Sequence, residues 1–508
     1  MKKNILAVIF LTLLLSSCYK DIGNYDYDDE ELITIDGLKE KYSGVAMVDT
    51  IDISPTVSST DPNAEFEYLW YMFELEKTGK VNCDTIAYTK DLNYLISKSH
   101  QEWQLVFEAT NTNTGLKKMV TSNLKINTEF TQGWYVLKDD GTNSDLDMFT
   151  VRDTIVPVSV APNVYSRING KGFDGKAKTI SFFSTFGWAS FGVVTEQRLL
   201  AIASEKDVSL ASIKTMEEYK GTENMFLGNT PSVMDMGFIG LSGYMYNYII
   251  NDGKLHYIYG FMPGDGSFSL PLARNLAYDE YHLSDYVLLG VNYNFFFDDI
   301  SSKFVTHNDI ATELAEIGLT STEANVISNK KMLYMGLLQD NPDIYPVAVV
   351  EDKTDSNIKY IFRVKNNNDG TLEALDVEAI HSSSKLFNAT KMTVSHDNLI
   401  LYFVVGNELW SRNLLSGLEQ HQYTAPAGED ITMIRHRKYT NSDNDPQFSY
   451  NYIIVATSDG SNYTVNFFSK RAGNLKETPD FSMSGTGSVK DIIFVSQQLE
   501  EGHYEQGY

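Results

Sequence analysis

The chain has 508 residues with 43% hydrophobic content and a formal charge of −26. That length exceeds one ordinary core, so two or more domains are expected. So negative a surface repels nucleic acid and anionic lipid headgroups, which excludes both as partners. With 31 tyrosines and 27 phenylalanines against 12 prolines, the composition favours strands.

The chain opens with Lys2 and Lys3, an apolar run from Ile5 to Leu15, and then Leu15-Ser16-Ser17-Cys18. A positive start, a short apolar core and small residues before a cut describe a secretory signal over 1–17. The run is too short for a spanning helix, which needs about 20 residues. The Leu-Ser-Ser-Cys stretch resembles the bacterial lipobox, in which the cysteine is acylated and becomes the first mature residue. Cys18 is therefore the expected lipidation site, and the mature chain is expected to be anchored only through it. Residues 18–31 are acidic and polar, as a solvated tether should be. Their acidity also resembles the signal that exports lipoproteins to the outer face of the outer membrane. The expected location is thus the cell outer membrane, facing the exterior. With Cys18 lipidated, Cys83 is left alone. No internal disulfide is expected, and Cys83 reads as a buried or half-buried structural thiol.

From 32 to 127 the pattern is short alternating runs between turn residues: Thr50–Ile53, Phe66–Tyr71, Trp103–Ala109 and Val120–Ile126. Period-2 runs at this spacing argue an immunoglobulin-like β-sandwich of about 95 residues. Trp70 reads as its buried central aromatic, in preference to a sugar-stacking platform.

A different rhythm starts at Gly133 and runs to about residue 500. Strand, polar turn, strand units recur at Trp134–Phe149, Met245–Tyr259, Pro346–Val364, Leu399–Asn413 and Tyr452–Phe468. Weaker copies fall at Arg198–Ser204 and Tyr286–Phe297. Asn251-Asp252-Gly253 and Gly406-Asn407 supply the residues that reach positive φ in hairpins. A spacing of roughly 45–60 residues suits four-stranded propeller blades. The expected fold is all-β: a sandwich followed by a β-propeller-like domain of seven blades, with eight as the alternative. Asp491–Val495 would complete the blade begun by Trp134 and leave no open edge.

Several segments together resemble the PKD-like lipoprotein family of Bacteroidetes. They are Cys18-Tyr19-Lys20-Asp21-Ile22-Gly23-Asn24-Tyr25-Asp26-Tyr27, Glu67-Tyr68-Leu69-Trp70, Thr114-Gly115-Leu116 and Gly133-Trp134-Tyr135-Val136-Leu137. The resemblance covers Cys18 to about Phe149. It implies an immunoglobulin-type domain before a propeller-like one. It also implies an accessory role beside a Sus-like pair, a TonB-dependent transporter and its substrate-binding lipoprotein, in capturing peptide or glycan. The Trp-Asp-Phe-Gly-Asp run of true PKD repeats is absent.

No catalytic constellation is readable: there is no His-Glu-x-x-His, no Gly-x-Ser-x-Gly and no metal-ligand spacing among the histidines. Neither a catalytic residue, a metal nor a cofactor is assigned. Asp139, Asp140, Asp145 and Asp147 could gather around calcium, but an ordinary turn is the simpler reading. Trp188, in Thr185-Phe186-Gly187-Trp188, is the candidate ligand contact, weighed against core packing. The loop aromatics Tyr281 to Phe297 and the basic run Arg435-His436-Arg437-Lys438 read first as blade packing and a solvated strand face; the alternative for the basic run is a carboxylate-binding patch. The expected function is non-catalytic binding within a Sus-like uptake complex. The alternatives are a propeller hydrolase or lyase with carboxylates from different blades, and a structural spacer.

Overall fold

In a computed structural model the chain divides at Ile126/Asn127 into two compact units. The structure describes residues 31–496, apart from 47–48, 76–82, 99–100, 187–188, 191–192, 195–196, 243–245, 260–265, 275–278, 290–293, 308–312, 322–325, 341–342, 368–370, 396 and 440–445. Cys18, the signal and residues 18–30 of the tether lie outside the described residues, as does Trp188. Among the described residues no helix is long and apolar enough to cross a membrane.

The N-terminal unit is a sandwich built on a five-stranded sheet. Its strands, in spatial order, are Lys41–Val45, Lys117–Asn127, Gln101–Asn111, Phe66–Glu74 and Asp84–Ala87. Two-stranded ribbons pair Ile33–Asp36 with Thr56–Ser59 and Thr50–Ile53 with Leu92–Leu95. Alternation does here what pleat geometry demands: in Thr50–Ile53 the isoleucines are buried and their neighbours exposed. Trp70 is fully buried, lies 4.5 Å from the Phe107 ring centroid, and its indole Nε1 donates to the Thr89 and Lys90 carbonyls at 3.1 and 3.2 Å. It is core, as its strand position implied. Cys83, by contrast, is exposed, so the expectation of a buried thiol is wrong. It precedes the short strand Asp84–Ala87, which lies at the edge of the sheet and pairs with one neighbour among the described residues.

The second unit is a ring of seven blades among the described residues. Each blade runs outward from an innermost strand through antiparallel neighbours. The innermost strands are Ser488–Val495, Ala177–Phe186, Met236–Ser242, Leu283–Leu289, Lys330–Asp340, Lys391–Val394 and Asp430–Tyr439. Each lies against the next, and the last against the first, so the ring closes. Closure is covalently economical: the final strand pairs with Gly133–Asp139, Trp134 opposite Phe494 and Tyr135 opposite Ile493. The first blade is thus completed by Ser488–Val495, the last described strand.

Stacked blades explain the change of rhythm at Gly133. A blade strand packs against the blade before it and the blade after it, so both of its faces are covered. Accordingly Gly133–Lys138, Tyr246–Asn251 and Asn294–Asp298 are buried at every position. Phe296 packs with Tyr248 and Val305 on one side, whereas Phe295 and Phe297 pack with Phe304 and Met335 on the other. The hairpin read at Tyr286–Phe297 belongs to a different part of its blade from the others. It joins the innermost strand to the second, and the blade's second hairpin is Asn294–Asp298 with Lys303–His307.

Candidate functional site

The innermost strands start at one end of the ring, and their first residues surround the axis. There they line a cavity of about 190 Å³. Lys178 comes from Ala177–Phe186, Asp285 from Leu283–Leu289, Lys391 from Lys391–Val394, Arg435 from Asp430–Tyr439 and Lys490 from Ser488–Val495. Each of these innermost strands pairs with one neighbour only among the described residues, so its free edge and these side chains face the axis together. Gly237 also lines it, and a Cβ there would collide with the Asp285 carboxylate. The glycine makes room for the acid.

Behind the mouth lies Asp491, fully enclosed. Its carboxylate accepts from Arg435 Nε at 3.0 Å, Arg437 Nη2 at 3.3 Å, Thr179 Oγ1 at 3.2 Å and the Ile180 and Ile492 amides at 3.2 and 2.9 Å. Burial alone would raise its pKa, but the two guanidiniums and the amides hold it below the ordinary carboxylate value. Asp491 thereby ties three neighbouring inner strands and fixes Arg435 at the cavity wall.

The remaining cations are not compensated in this way. Lys391 and Lys490 have no side-chain hydrogen bond or ion pair among the described residues, and Lys178 reaches only the exposed Asp235, at 3.4 Å. Lys391 is half-buried and Lys490 is open to the channel, yet crowding by protein lowers both pKa values; repulsion from Arg435 adds to the effect at Lys490, and Asp430 and Asp491 respectively offset part of it. Asp285 is wetted by the channel yet crowded by protein, and burial raises its carboxyl while Lys178 partly offsets the rise.

A larger groove, about 630 Å³, opens beside the hairpin turns of the first, second and last blades. It holds three of the aspartates weighed for calcium, with Asp147 at its back. Each is already engaged. Asp139 accepts the Gly141 and Ala177 amides, and Asp140 accepts those of Thr142 and Asn143. Asp145 accepts the Leu146 and Ser166 amides. Asp147 is buried against Lys138 Nζ at 2.9 Å and accepts the Tyr463 hydroxyl at 2.7 Å. Among the described residues no group of three or more His, Cys, Asp or Glu could hold a metal ion.

The run Arg435-His436-Arg437-Lys438 is not a solvated face. His436 is fully buried, Arg437 is buried against Asp491, and Arg435 is half-buried. This strand is innermost, so its alternate residues face the axis and the next blade. His436 Nε2 lies 2.9 Å from Asn451 Oδ1 and 3.0 Å from Lys470 Nζ, which pairs with Asp397 at 3.2 Å. That cluster is internally satisfied and joins the last two blades. Tyr281 is buried and donates to the Leu272 carbonyl at 2.7 Å, which makes it packing. Sequence reading missed Lys178, Asp285, Lys391, Lys490 and Asp491 because they come from four separate blades. The available signal was a charge near the start of an otherwise apolar strand, as in Ser488-Val489-Lys490-Asp491-Ile492-Ile493.

The model of the PKD-like family matches residues 18–177. The PKD-like resemblance therefore holds over that stretch, which runs through the sandwich and on into the first blade. No curated protein matches. Among solved structures, the chain is similar to a quinoprotein alcohol dehydrogenase-like protein from Bacteroides thetaiotaomicron, at 15% identity and TM-score 0.43, over 91% of this chain and 99% of that one. It is also similar to the WD40 domain of SCAP from fission yeast, at 9% identity and TM-score 0.30, over 63% of this chain and 74% of that one. A third likeness is to the extracellular domain of a Bacteroides thetaiotaomicron protein described as a one-component system, at 10% identity and TM-score 0.30, over 90% of this chain and 70% of that one.

Proposed function

We propose that this protein is a non-catalytic lipoprotein of the outer membrane, anchored through Cys18 and facing outward. It acts as an accessory component of a Sus-like uptake complex and holds a peptide or glycan for the transporter pair. The observation that carries the reading is the axial mouth. It gathers charged side chains from five blades on paired strands, and no histidine or cysteine lines it. Fixed charges on a rigid frame suit recognition, and general acid–base chemistry would call for a group poised near neutral pH. The PKD-like match over 18–177 supports the family context.

The test is purification at native expression from detergent-solubilised outer membranes. The transporter and its substrate-binding lipoprotein should co-purify, with no hydrolysis of peptides or glycans by the isolated chain. Purification alone, together with turnover on either substrate class, would replace this reading with the hydrolase or lyase alternative. Cys18→Ala should leave the membrane fraction and take up no radiolabelled fatty acid; continued labelling would refute the anchor.

A further inference from the structure

We infer that the axial mouth is a carboxylate site, in which one carboxylate of the ligand sits between Lys391, Lys490 and Arg435. The inference rests on the binding role proposed above and narrows the ligand to one bearing an acid group, a uronic acid unit or a peptide terminus.

Three observations converge on it. First, the mouth collects four cations and one carboxylate in about 190 Å³, on a chain whose formal charge is −26. Second, two of those cations, Lys391 and Lys490, have no side-chain partner among the described residues, while the buried Asp491 already accepts from Arg435, Arg437, Thr179 and two amides. Asp491 attracts Lys490 through space but makes no hydrogen bond or ion pair with either lysine among the described residues. Third, the cations crowd one another: burial first, then repulsion from Arg435, Lys178 and Lys391, depresses the Lys490 ammonium, and the attraction of Asp491 offsets only part of this. Folding alone leaves this repulsion standing, and an anion placed among the ammonium groups relieves it.

Size and field restrict which anion fits. The cavity has room for a single charged unit. The negative field of the surrounding surface opposes the approach of a polyanion but weakens within a Debye length of roughly 8–10 Å, where the lysines take over. A single carboxylate therefore suits the mouth better than a nucleic acid or a polysulfated chain.

The experiment is calorimetric titration of the full chain in detergent with two matched probe pairs. One is galacturonate against its methyl ester, the other a tripeptide with a free C-terminus against its amide. At least one acid should bind, with its neutral partner at least tenfold weaker, and the pair that responds identifies the source of the carboxylate. Lys391→Gln and Lys490→Gln should each weaken the acid about tenfold, with circular dichroism unchanged, and Lys171→Gln in the outer groove should have no effect. Equal binding of acid and neutral partners, unchanged affinity in both mouth variants, or no binding of either acid at millimolar concentration would overturn the assignment. Co-purification with the transporter pair does not depend on these lysines. Its loss would count against the accessory role alone, and loss of acid selectivity would count against the carboxylate site alone.

Discussion

The outer groove and the axial mouth are both polar depressions of the ring, and they differ in what their charges are doing. The groove is the larger, about 630 Å³ against about 190 Å³. Its carboxylates are consumed by the molecule itself, because hairpin turns leave amides that need acceptors, and Asp139, Asp140 and Asp145 supply them. The mouth is built from the innermost strands and not from turns, and two of its cations, Lys391 and Lys490, have no side-chain hydrogen bond or ion pair among the described residues. Recognition capacity follows uncommitted charge, not volume.

The largest test of that contrast is Asp491→Ala. It would strand two guanidiniums that were compensated in a buried site, and breaking such a group costs about 3–5 kcal/mol. Urea unfolding should show this loss. The sign with pH is fixed by the depressed carboxyl. Its contribution is present above the ordinary carboxylate pKa of 3.8 and is lost as pH falls through the lower folded value. Next is Lys138→Ala in the groove. Lys138 and Asp147 have side chains only 6% and 1% exposed. Removing the lysine should cost about 3 kcal/mol, at the lower end because Asp147 keeps the Tyr463 hydroxyl and the Asn163 amide. A loss under 1 kcal/mol would mean that the groove's charges are as uncommitted as those of the mouth. Smaller again is Gly237→Ala, whose Cβ would displace the Asp285 carboxylate. A shift of that kind costs about 1–2 kcal/mol and should change ligand affinity at the mouth while leaving the groove untouched.

What the sequence made legible follows the periodicity of each region. The sandwich was readable from alternation, because one face of each strand is wet, as in Thr50–Ile53. The ring was readable from its turns, since Asp140 and Asp459 cap the hairpins that interrupt unbroken apolar strands. Even so, unbroken strands carry no phase. The pair at Tyr286–Phe297 was thus taken for the same hairpin as the rest, although it opens its blade from the axis. The mouth was less legible still. Its members are one or two residues per blade, some 50 or more positions apart in most cases, and only ring closure by Ser488–Val495 brings Lys490 beside Lys391 and Lys178. Asp140 is engaged as the ordinary-turn reading implied, although spacing alone shows only that acids are near one another and not that turn amides have taken their oxygens.

The smallest expected effect is also the sharpest test of the contrast. Lys490→Met removes a cation from a site that already has too many, so stability at pH 7 should stay within about 0.5 kcal/mol of the parent, with any change a gain. The sign comes from linkage. Lys490 and Lys391 have folded pKa values below the ordinary lysine value of 10.5, so folding disfavours their charged forms. The penalty is complete below the folded pKa. It fades as pH rises from there towards 10.5, because in that window the unfolded chain binds more protons than the folded one. The other groups facing these lysines are Lys178, Arg435, Asp285, Asp491 and Asp430. Urea unfolding at pH 7 and pH 9.5 should therefore show the parent gaining more stability with pH than Lys490→Met does. In the groove, Lys138→Met should lose stability at both pH values, since its partner Asp147 needs the charge. If Lys490→Met instead lost stability as Lys138→Met does, Lys490 would be a committed structural cation, and the mouth would be a second groove.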